Sequence, residues 1–587
     1  MTRRLATWLF AILAGVLVAA SLPREARAIA LNEEGTINLT MRAYVNARVG
    51  TMAKQSTRPG NQPDTCAGAP PEALATCSFG GTYPYSGAGN LIQNRYFLEM
   101  KWNHDLLDWW GDALPKSVTS FKYNLTYRGE YEGIYDFGPS AYANNLESRQ
   151  ELEATLSQSP TFNPAQLDSI TGSLQRSRHR LRSVASYRNR LFQAFVDWEQ
   201  GPVFIRFGRQ NLVWGETDVF RLLDNINPVD NGFGGFFIDL DERRVPLNML
   251  RGSVNFGTVG PFDQAFFEGY AAMDNTVAFI PGAPRGSPWA PPLGAPTGQT
   301  LTNLQGPPTG LPGLRGGGRL VFNYADFTFT GASYVTMLDT QAVRFRQARP
   351  GDPGFVPGGV SVITADQYAP RVWVNGASMT TALPSLKSVL RAEVAYFRDE
   401  ALFRGPLAGA FPGKGTTPGY VTGFLGPVLG GQFDTVSRKD TSGVVLGWDS
   451  NQYIRFLNPN QTFFISTQIF WRHIFDMDPL QGLPVPEPNN QTRVVPVPQD
   501  QFLQTFAINT TYNTRVPFTD TTLQVTPGYN MFYDWQGMFL FQPNVRFVRD
   551  PWRFIVDYTT INSGVFRNQI GLVRDRSNVR FQVEYVL

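Results

Sequence analysis

The most constraining feature of this sequence is a period-two alternation of side chains, repeated in segments of about ten residues with almost no helical periodicity between them. One face of segment 94–103 carries Tyr96, Leu98, Met100 and Trp102. The same alternation recurs in further segments, among them 121–128, 327–335, 463–472 and 552–559. Because successive side chains of a strand point to opposite faces, this pattern predicts an all-β chain.

Alternation alone fits a soluble β-sandwich and a membrane barrel equally well. Two further features favour the barrel. Strands of about ten residues are long enough to cross hydrocarbon, whereas soluble strands average about five to six. Short turns such as 199–202 and 324–326 also alternate with long connections, which fall near 48–93, 133–186, 211–247, 274–317, 339–368, 400–437 and 475–500. We therefore predict a transmembrane antiparallel β-barrel of about 18 strands, with 16 possible, and long extracellular loops.

Composition excludes several classes of function. The 587 residues include 17% charged residues and carry a net charge of +3, so we expect no nucleic-acid partner. Three histidines and two cysteines leave little material for a metal cage. The sequence has no His-Glu-x-x-His, Gly-x-Ser-x-Gly or phosphate-binding glycine loop. We expect no catalytic residue, no metal and no cofactor, and hence no enzyme.

The two ends of the sequence indicate export and assembly. Arg3 and Arg4 precede the apolar run 5–20, and Ala26 to Ala28 form a cleavage-type sequence, so we predict a signal peptide at 1–28 and a barrel at 29–587. We expect the outer membrane of a Gram-negative bacterium. The last segment alternates in the manner of the signal that barrel-assembly machinery reads, although leucine replaces the usual final aromatic residue; the alternating positions are Val579, Phe581, Val583, Tyr585 and Leu587.

The connection 211–247 is too long for a turn and combines charged with apolar residues. Such a loop has reason to fold inward as a constriction, and an outward, ion-paired surface loop is the alternative. We expect its charges to pair among themselves or with wall arginines. The constriction candidates are Arg206, Arg209, Glu216, Asp218, Arg221, Asp224, Asp230, Asp241, Glu242, Arg243 and Arg244.

The region around this connection resembles a known family. The resemblance rests on the segments Tyr187–Asp197, Phe204–Gln210, Trp214–Asp218, Asp224–Asp230 and Asp241–Leu247. They resemble a family of proteobacterial outer-membrane proteins known as domain of unknown function 1302. The resemblance implies a β-barrel in outer-membrane lipid. It also implies a periplasmic lipid carrier and an RND-type exporter as partners, and therefore a hydrophobic substrate.

These observations together predict a passive channel or conduit for hydrophobic small molecules or lipids. One alternative is a porin for hydrophilic solutes, which inward ladders of Arg and Asp would favour over an apolar lumen. A second alternative is an outer-membrane hydrolase. It would require a Ser or an Asp within hydrogen-bond reach of His473 or His179.

The first testable prediction is a disulfide between Cys66 and Cys77. Both lie in the first long connection of a chain that we expect to be exported to an oxidising compartment, and no other cysteine competes. Closing this loop would stabilise the protein by about 3 kcal/mol in the chain-entropy model. Mass spectrometry of alkylated, non-reduced protein should find no free thiol, and two alkylated cysteines would contradict the prediction.

Overall fold

We describe the fold from a computed structural model of the chain. The described residues are 29–51, 88–139, 186–218, 220–230, 232–233, 237–274, 300–304, 313–338, 342–347, 349–350, 363–403, 432–434, 436–477, 482–486, 492–515, 522–563 and 576–587. The predicted signal peptide, the predicted disulfide and His179 lie outside these residues.

Eighteen antiparallel strands form one closed sheet, in which each strand pairs with the next along the chain and the last pairs with the first. The predicted barrel and its strand number are confirmed. The strands are β1 Ile37–Gly50, β2 Leu91–Asp105, β3 Val118–Glu132, β4 Tyr187–Gln200, β5 Val203–Gln210, β6 Leu247–Val259, β7 Phe262–Ala272, β8 Arg315–Tyr324, β9 Phe327–Met337, β10 Arg371–Leu383, β11 Ser388–Phe403, β12 Val436–Gln452, β13 Phe463–Ile474, β14 Asp500–Asn509 continued by Tyr512–Arg515, β15 Thr522–Asp534, β16 Met538–Arg549, β17 Trp552–Ser563 and β18 Asn578–Val586.

The two faces of this sheet have the reverse polarity of a soluble protein. On the outer face, Phe207 is 67% exposed and Leu446 is 59% exposed. On the inner face, Arg95 and Gln468 are each 1% exposed. Apolar side chains tolerate hydrocarbon and charged ones do not, so this distribution is the one that a membrane imposes on a barrel.

The connections segregate by length between the two rims. At one rim the turns are short, for example 201–202, 260–261 and 325–326. At the opposite rim lie the long connections 51–90, 133–186, 211–246, 273–314, 338–370, 404–435, 475–499 and 564–577, with the short turn 535–537 as the exception. The predicted alternation of long and short connections is confirmed.

Several of the long connections contain strands that the sequence did not predict. Thr300–Leu304, Ala342–Gln347, Ile363–Tyr368 and Gln432–Asp434 pair into a separate four-stranded sheet. Gly482–Pro486 and Thr492–Pro496 form a further two-stranded sheet. Each has only three to six residues, which is too short for alternation to stand out, and the four-stranded sheet also joins distant segments such as Thr300–Leu304 and Ile363–Tyr368.

Helices are few in the described residues. They are α1 Leu107–Trp110, α2 Ile134–Phe137 and α3 Leu240–Arg243, with 3-10 turns at Gly111–Ala113 and Pro384–Leu386. None of them is long and apolar enough to span a membrane.

The closing strand supplies a test of the outer face. On β18, Arg580 and Glu584 bond to inner-wall partners, so Phe581 between them points outward. Phe581→Asp places a carboxylate in hydrocarbon at a cost on the order of 2 kcal/mol, and we expect lower outer-membrane yield and loss of heat-modifiable gel mobility. The matched control is Gln582→Asp, on the polar inner face. If Phe581→Asp assembles as well as its control, β18 does not face lipid there.

Candidate functional site

We call the connection between β5 and β6, residues 211–246, the inner loop. Its described residues, 211–218, 220–230, 232–233 and 237–246, lie inside the barrel. Its described residues hydrogen-bond to β1, β2, β7, β11 and β13. These strands belong to opposite sides of the wall. The inner loop therefore crosses the lumen.

The first part of the inner loop is held by a buried tryptophan. Trp214 is 1% exposed and makes edge contacts with Tyr270 of β7 and Tyr334 of β9. Its indole N–H donates to the Glu268 carboxylate at 2.5 Å. Glu268 also pairs with wall arginines of β6 and β8. Because an indole N–H buried without an acceptor is costly, Glu268 determines where Trp214 can sit.

Apolar residues extend this contact along β6 to β11. Leu212, Leu223 and Ile226 of the inner loop join one buried cluster with wall residues such as Val374 and Phe397. This cluster is a hydrophobic core inside the barrel, and a second, smaller one surrounds Phe532 and Met538. It gives the loop a preferred side of the wall.

Two wall glycines make room for the loop. A Cβ at Gly376 of β10 would lie 2.5 Å from Leu223 Cδ2, and one at Gly443 of β12 would lie 2.5 Å from Leu222 Cδ1. Both distances are too short for carbon atoms. The inner wall is thus shaped for these two leucines.

Glu393 of β11 holds the backbone of the same part of the loop. Its carboxylate accepts the N–H groups of Glu216 and Leu223, each at 2.7 Å. Next to it, Arg391 donates to both carboxylate oxygens of Asp218, at 2.8 and 3.2 Å. These wall groups replace the backbone partners that an irregular segment lacks.

Phe220 of the inner loop contacts the far side of the barrel. Phe220 packs against Phe470 of β13 and Phe532 of β15, with ring centroids 5.3 and 4.9 Å apart. The first part of the inner loop therefore contacts the wall from β6 round to β15.

The second part of the inner loop contacts five arginines of β1 to β4, and a sixth, Arg190, lies beside them and pairs with Glu130 of the wall. We call this set the arginine cradle: Arg42, Arg48, Arg95, Arg128, Arg188 and Arg190. The central contact is Glu242. Its Oε1 accepts from Arg42 at 2.8 Å, and its Oε2 accepts from Arg95 at 2.7 Å and from the Tyr44 hydroxyl at 2.6 Å. Burial acts to raise the pKa of Glu242, but the charges of Arg95 and Arg42 outweigh it and hold that pKa below its ordinary value.

Other residues of this part also use the cradle. Asp230 pairs with Arg188, and the Phe233 ring lies 4.4 Å from the same guanidinium. Arg48 donates to the Phe237 carbonyl at 3.1 Å and stacks on its ring. Guanidinium groups bind carboxylates through their edge and aromatic rings through their face, and the inner loop uses both.

Further pairing stays within the loop. Arg244 bonds to both Asp224 and Asp241. Arg221 donates to the Asn227 carbonyl at 2.8 Å. Burial raises the pKa of Asp224 even though the charge of Arg244 opposes it. Glu216 contributes its backbone to Glu393 and Arg391, and the Arg243 carbonyl accepts the Asp230 N–H at 2.9 Å.

Two of the constriction candidates, Arg206 and Arg209, have their described partners in the wall. Arg206 makes a bidentate pair with Asp197 of the adjacent strand, at 2.6 and 2.9 Å, and Arg209 donates to the Phe192 carbonyl at 3.1 Å. Neither bonds to the inner loop within the described residues. Asp197 stands directly opposite Arg206 across β4 and β5, so a carboxylate was already available to it.

The sequence did not predict which wall residues bond to the inner loop. Arg42, Tyr44, Asn46 and Arg48 do occupy every second position of β1, and that ladder was a usable signal. Glu268 lies in β7 and Glu393 in β11, and their role depends on contacts that a strand pattern does not encode. Among the described residues, no cluster of His, Cys, Asp and Glu is suited to hold a metal ion.

Glu393 provides a test of how the loop is held. Glu393→Ala leaves two N–H groups without an acceptor, at a cost of about 1 to 3 kcal/mol each. We expect hydrogen exchange to accelerate in residues 212–226. Glu393→Gln retains one acceptor oxygen and should have a smaller effect. Unchanged exchange in the alanine variant would show that this carboxylate does not hold the loop.

A search of curated proteins found no match in sequence. Among solved structures, OccAB3 of Acinetobacter baumannii is 8% identical, with 94% of this chain and 98% of that chain covered and a TM-score of 0.39. Salmonella typhi OmpF in complex with daunomycin is 9% identical, with 94% and 97% covered and a TM-score of 0.36. The outer-membrane channel DcaP of A. baumannii is 9% identical, with 94% and 97% covered and a TM-score of 0.30.

The family that the sequence suggested is matched directly. The profile described as "Protein of unknown function (DUF1302)" matches residues 8–274 and 286–587. These two segments include every barrel strand and the whole inner loop. The chain belongs to the DUF1302 family.

Proposed function

We propose that this protein is a channel of the Gram-negative outer membrane, that it conducts hydrophilic solutes, and that the inner loop forms its constriction. The observation that supports this most is the polarity of the inner wall. Buried residues of the strands include Glu99, Glu130, Asp557, Gln582 and Glu584, together with Arg48, Arg95 and Arg128 of the arginine cradle. Polar groups lining a barrel favour water and charged solutes.

A hydrophobic substrate has less support from the geometry. The main apolar surface within the described part of the lumen is the cluster around Trp214 and Leu223, and the inner loop itself fills it. A lipid would have to displace that core or cross the charged wall beside it. The hydrophilic alternative therefore fits the inner wall better.

A second candidate, hydrolysis, has one specific observation in its favour. His473 Nδ1 lies 2.8 Å from Asp500 Oδ1, and Ser442 stands opposite His473 across β12 and β13. The pairing of β12 with β13 and of β13 with β14 places Ser442, His473 and Asp500 on the outer face of the barrel. In the described part of the chain, no serine hydroxyl bonds to His473. A fluorophosphonate probe tests this candidate, since labelling that depends on Ser442 would establish a nucleophile.

Deleting part of the inner loop tests the channel. Removal of residues 233–239 takes Phe233 and Phe237 away from the cradle and shortens the segment that crosses the lumen. We expect single-channel conductance in planar bilayers to rise and liposomes to admit larger sugars. The matched control removes seven residues, 408–414, from the connection after β11. Equal conductance in both deletions, with assembled barrels, would place the constriction elsewhere, and absence of any conductance would contradict the channel.

A further inference from the structure

We propose that the arginine cradle is a binding site for organic carboxylates, and that Glu242 is an internal ligand which an incoming carboxylate displaces. This inference rests on the proposed channel, because a solute must reach the lumen. It adds a substrate class and a named site to that function.

The contacts around Glu242 have the form of a carboxylate site. Its two oxygens are held separately, one by Arg42 and the other by Arg95 and Tyr44. All three donors come from β1 and β2, and they are therefore in place whether or not the loop is. Arg128 adds a bond to the Glu242 carbonyl at 3.0 Å. A free carboxylate could use the same three donors.

The charges of the wall favour an anion once the loop leaves. Arg128 keeps Glu99 as its partner, and Arg190 keeps Glu130. The shortest ion pair of Arg188 is to Asp230, which belongs to the loop, and Arg95 shares Glu130 with its neighbours. Without Glu242 and Asp230 the cradle would hold more guanidinium groups than carboxylates. Because unpaired buried charge is strongly destabilising, only another anion can take the place of the loop at low cost.

The aromatic contacts narrow the class of ligand that the cradle would bind. Phe233 lies over Arg188 at 4.4 Å and also faces Arg95 at 5.7 Å. One loop segment thus offers the cradle a carboxylate and a benzene ring. A carboxylate attached to an aromatic ring offers both groups in one small molecule, so the cradle fits aromatic carboxylates best.

The inner loop is built so that this segment can leave alone. Val229 and Arg244 pair as an antiparallel bridge, supported by the bonds from Asp230 N–H to the Arg243 carbonyl and from Val245 N–H to the Pro228 carbonyl. The described residues between these two pairs, 230, 232–233 and 237–243, therefore belong to a flap with a closed base. The anchors Trp214 and Glu393 hold the first part of the loop on other strands. Displacement of the Glu242 carboxylate would remove the central contact between the flap and the cradle and leave those anchors intact.

Binding of benzoate to the purified barrel tests the site, with benzyl alcohol as the neutral analogue. Glu242→Gln weakens the internal competitor, so we expect benzoate to bind about tenfold more tightly than to the wild type. Asp241→Asn is the matched control, since that exposed carboxylate pairs with Arg244 outside the cradle, and the affinity of this variant for benzoate should equal the wild-type value.

Arg42→Gln should abolish benzoate binding while heat-modifiable mobility shows an assembled barrel. Benzoate should also accelerate hydrogen exchange in residues 230–243 of the wild type.

The possible outcomes separate this inference from the channel itself. Equal benzoate affinity in the wild type and Glu242→Gln, or equal binding of benzyl alcohol, would overturn the carboxylate site even if the protein conducts ions in bilayers. The expected order of affinities in a protein that never conducts would establish the site and contradict the channel.

Discussion

The exclusion of charge from hydrocarbon governs this structure. A closed sheet with an apolar outer face must carry its charged side chains inward. Arg95, Arg315 and Glu268 are buried there. Buried charges need partners, and the wall supplies only some of them. The inner loop supplies others, so its conformation follows from the charge pattern of the wall as much as from its own sequence.

The inner loop combines two modes of attachment that respond differently to their surroundings. Its first part, around Trp214 and Leu223, is held by an apolar core and by hydrogen bonds to Glu268 and Glu393. A competing anion does not displace apolar contacts of this kind. Its second part, around Glu242 and Asp230, is held by ion pairs that a competing anion can replace. A loop attached in this way can move at one end without leaving the barrel.

The sequence was sufficient for the barrel and for the presence of the long connection, and the reason is physical. The period-two pattern shows which face each residue occupies, and the strand length indicates a membrane. The sequence therefore predicted about 18 strands, with 16 possible, and a long connection at 211–247, which the structure places at 211–246. Pairing across the lumen is different. Glu242 meets Arg42 and Arg95 because of the register and stagger of the strands and the path of the loop, and none of these is written in a single segment. The partner of Arg206 was also not predicted, since Asp197 lies on the adjacent strand of the sheet and not in the loop.

The wall glycines show where the loop and the barrel depend on each other most closely. Among the described residues, Leu222 of the loop is the only group that a Cβ at Gly443 would approach within 3.5 Å. At Gly376, by contrast, the Val394 carbonyl oxygen of β11 would lie at 2.3 Å, closer than Leu223. A larger residue at Gly443 would therefore disturb the loop and spare the sheet. Since strand pairing does not require a glycine at that position, its small size is explained by the loop. The inner face of β12 is thus matched to a segment that lies more than 200 residues away in the sequence.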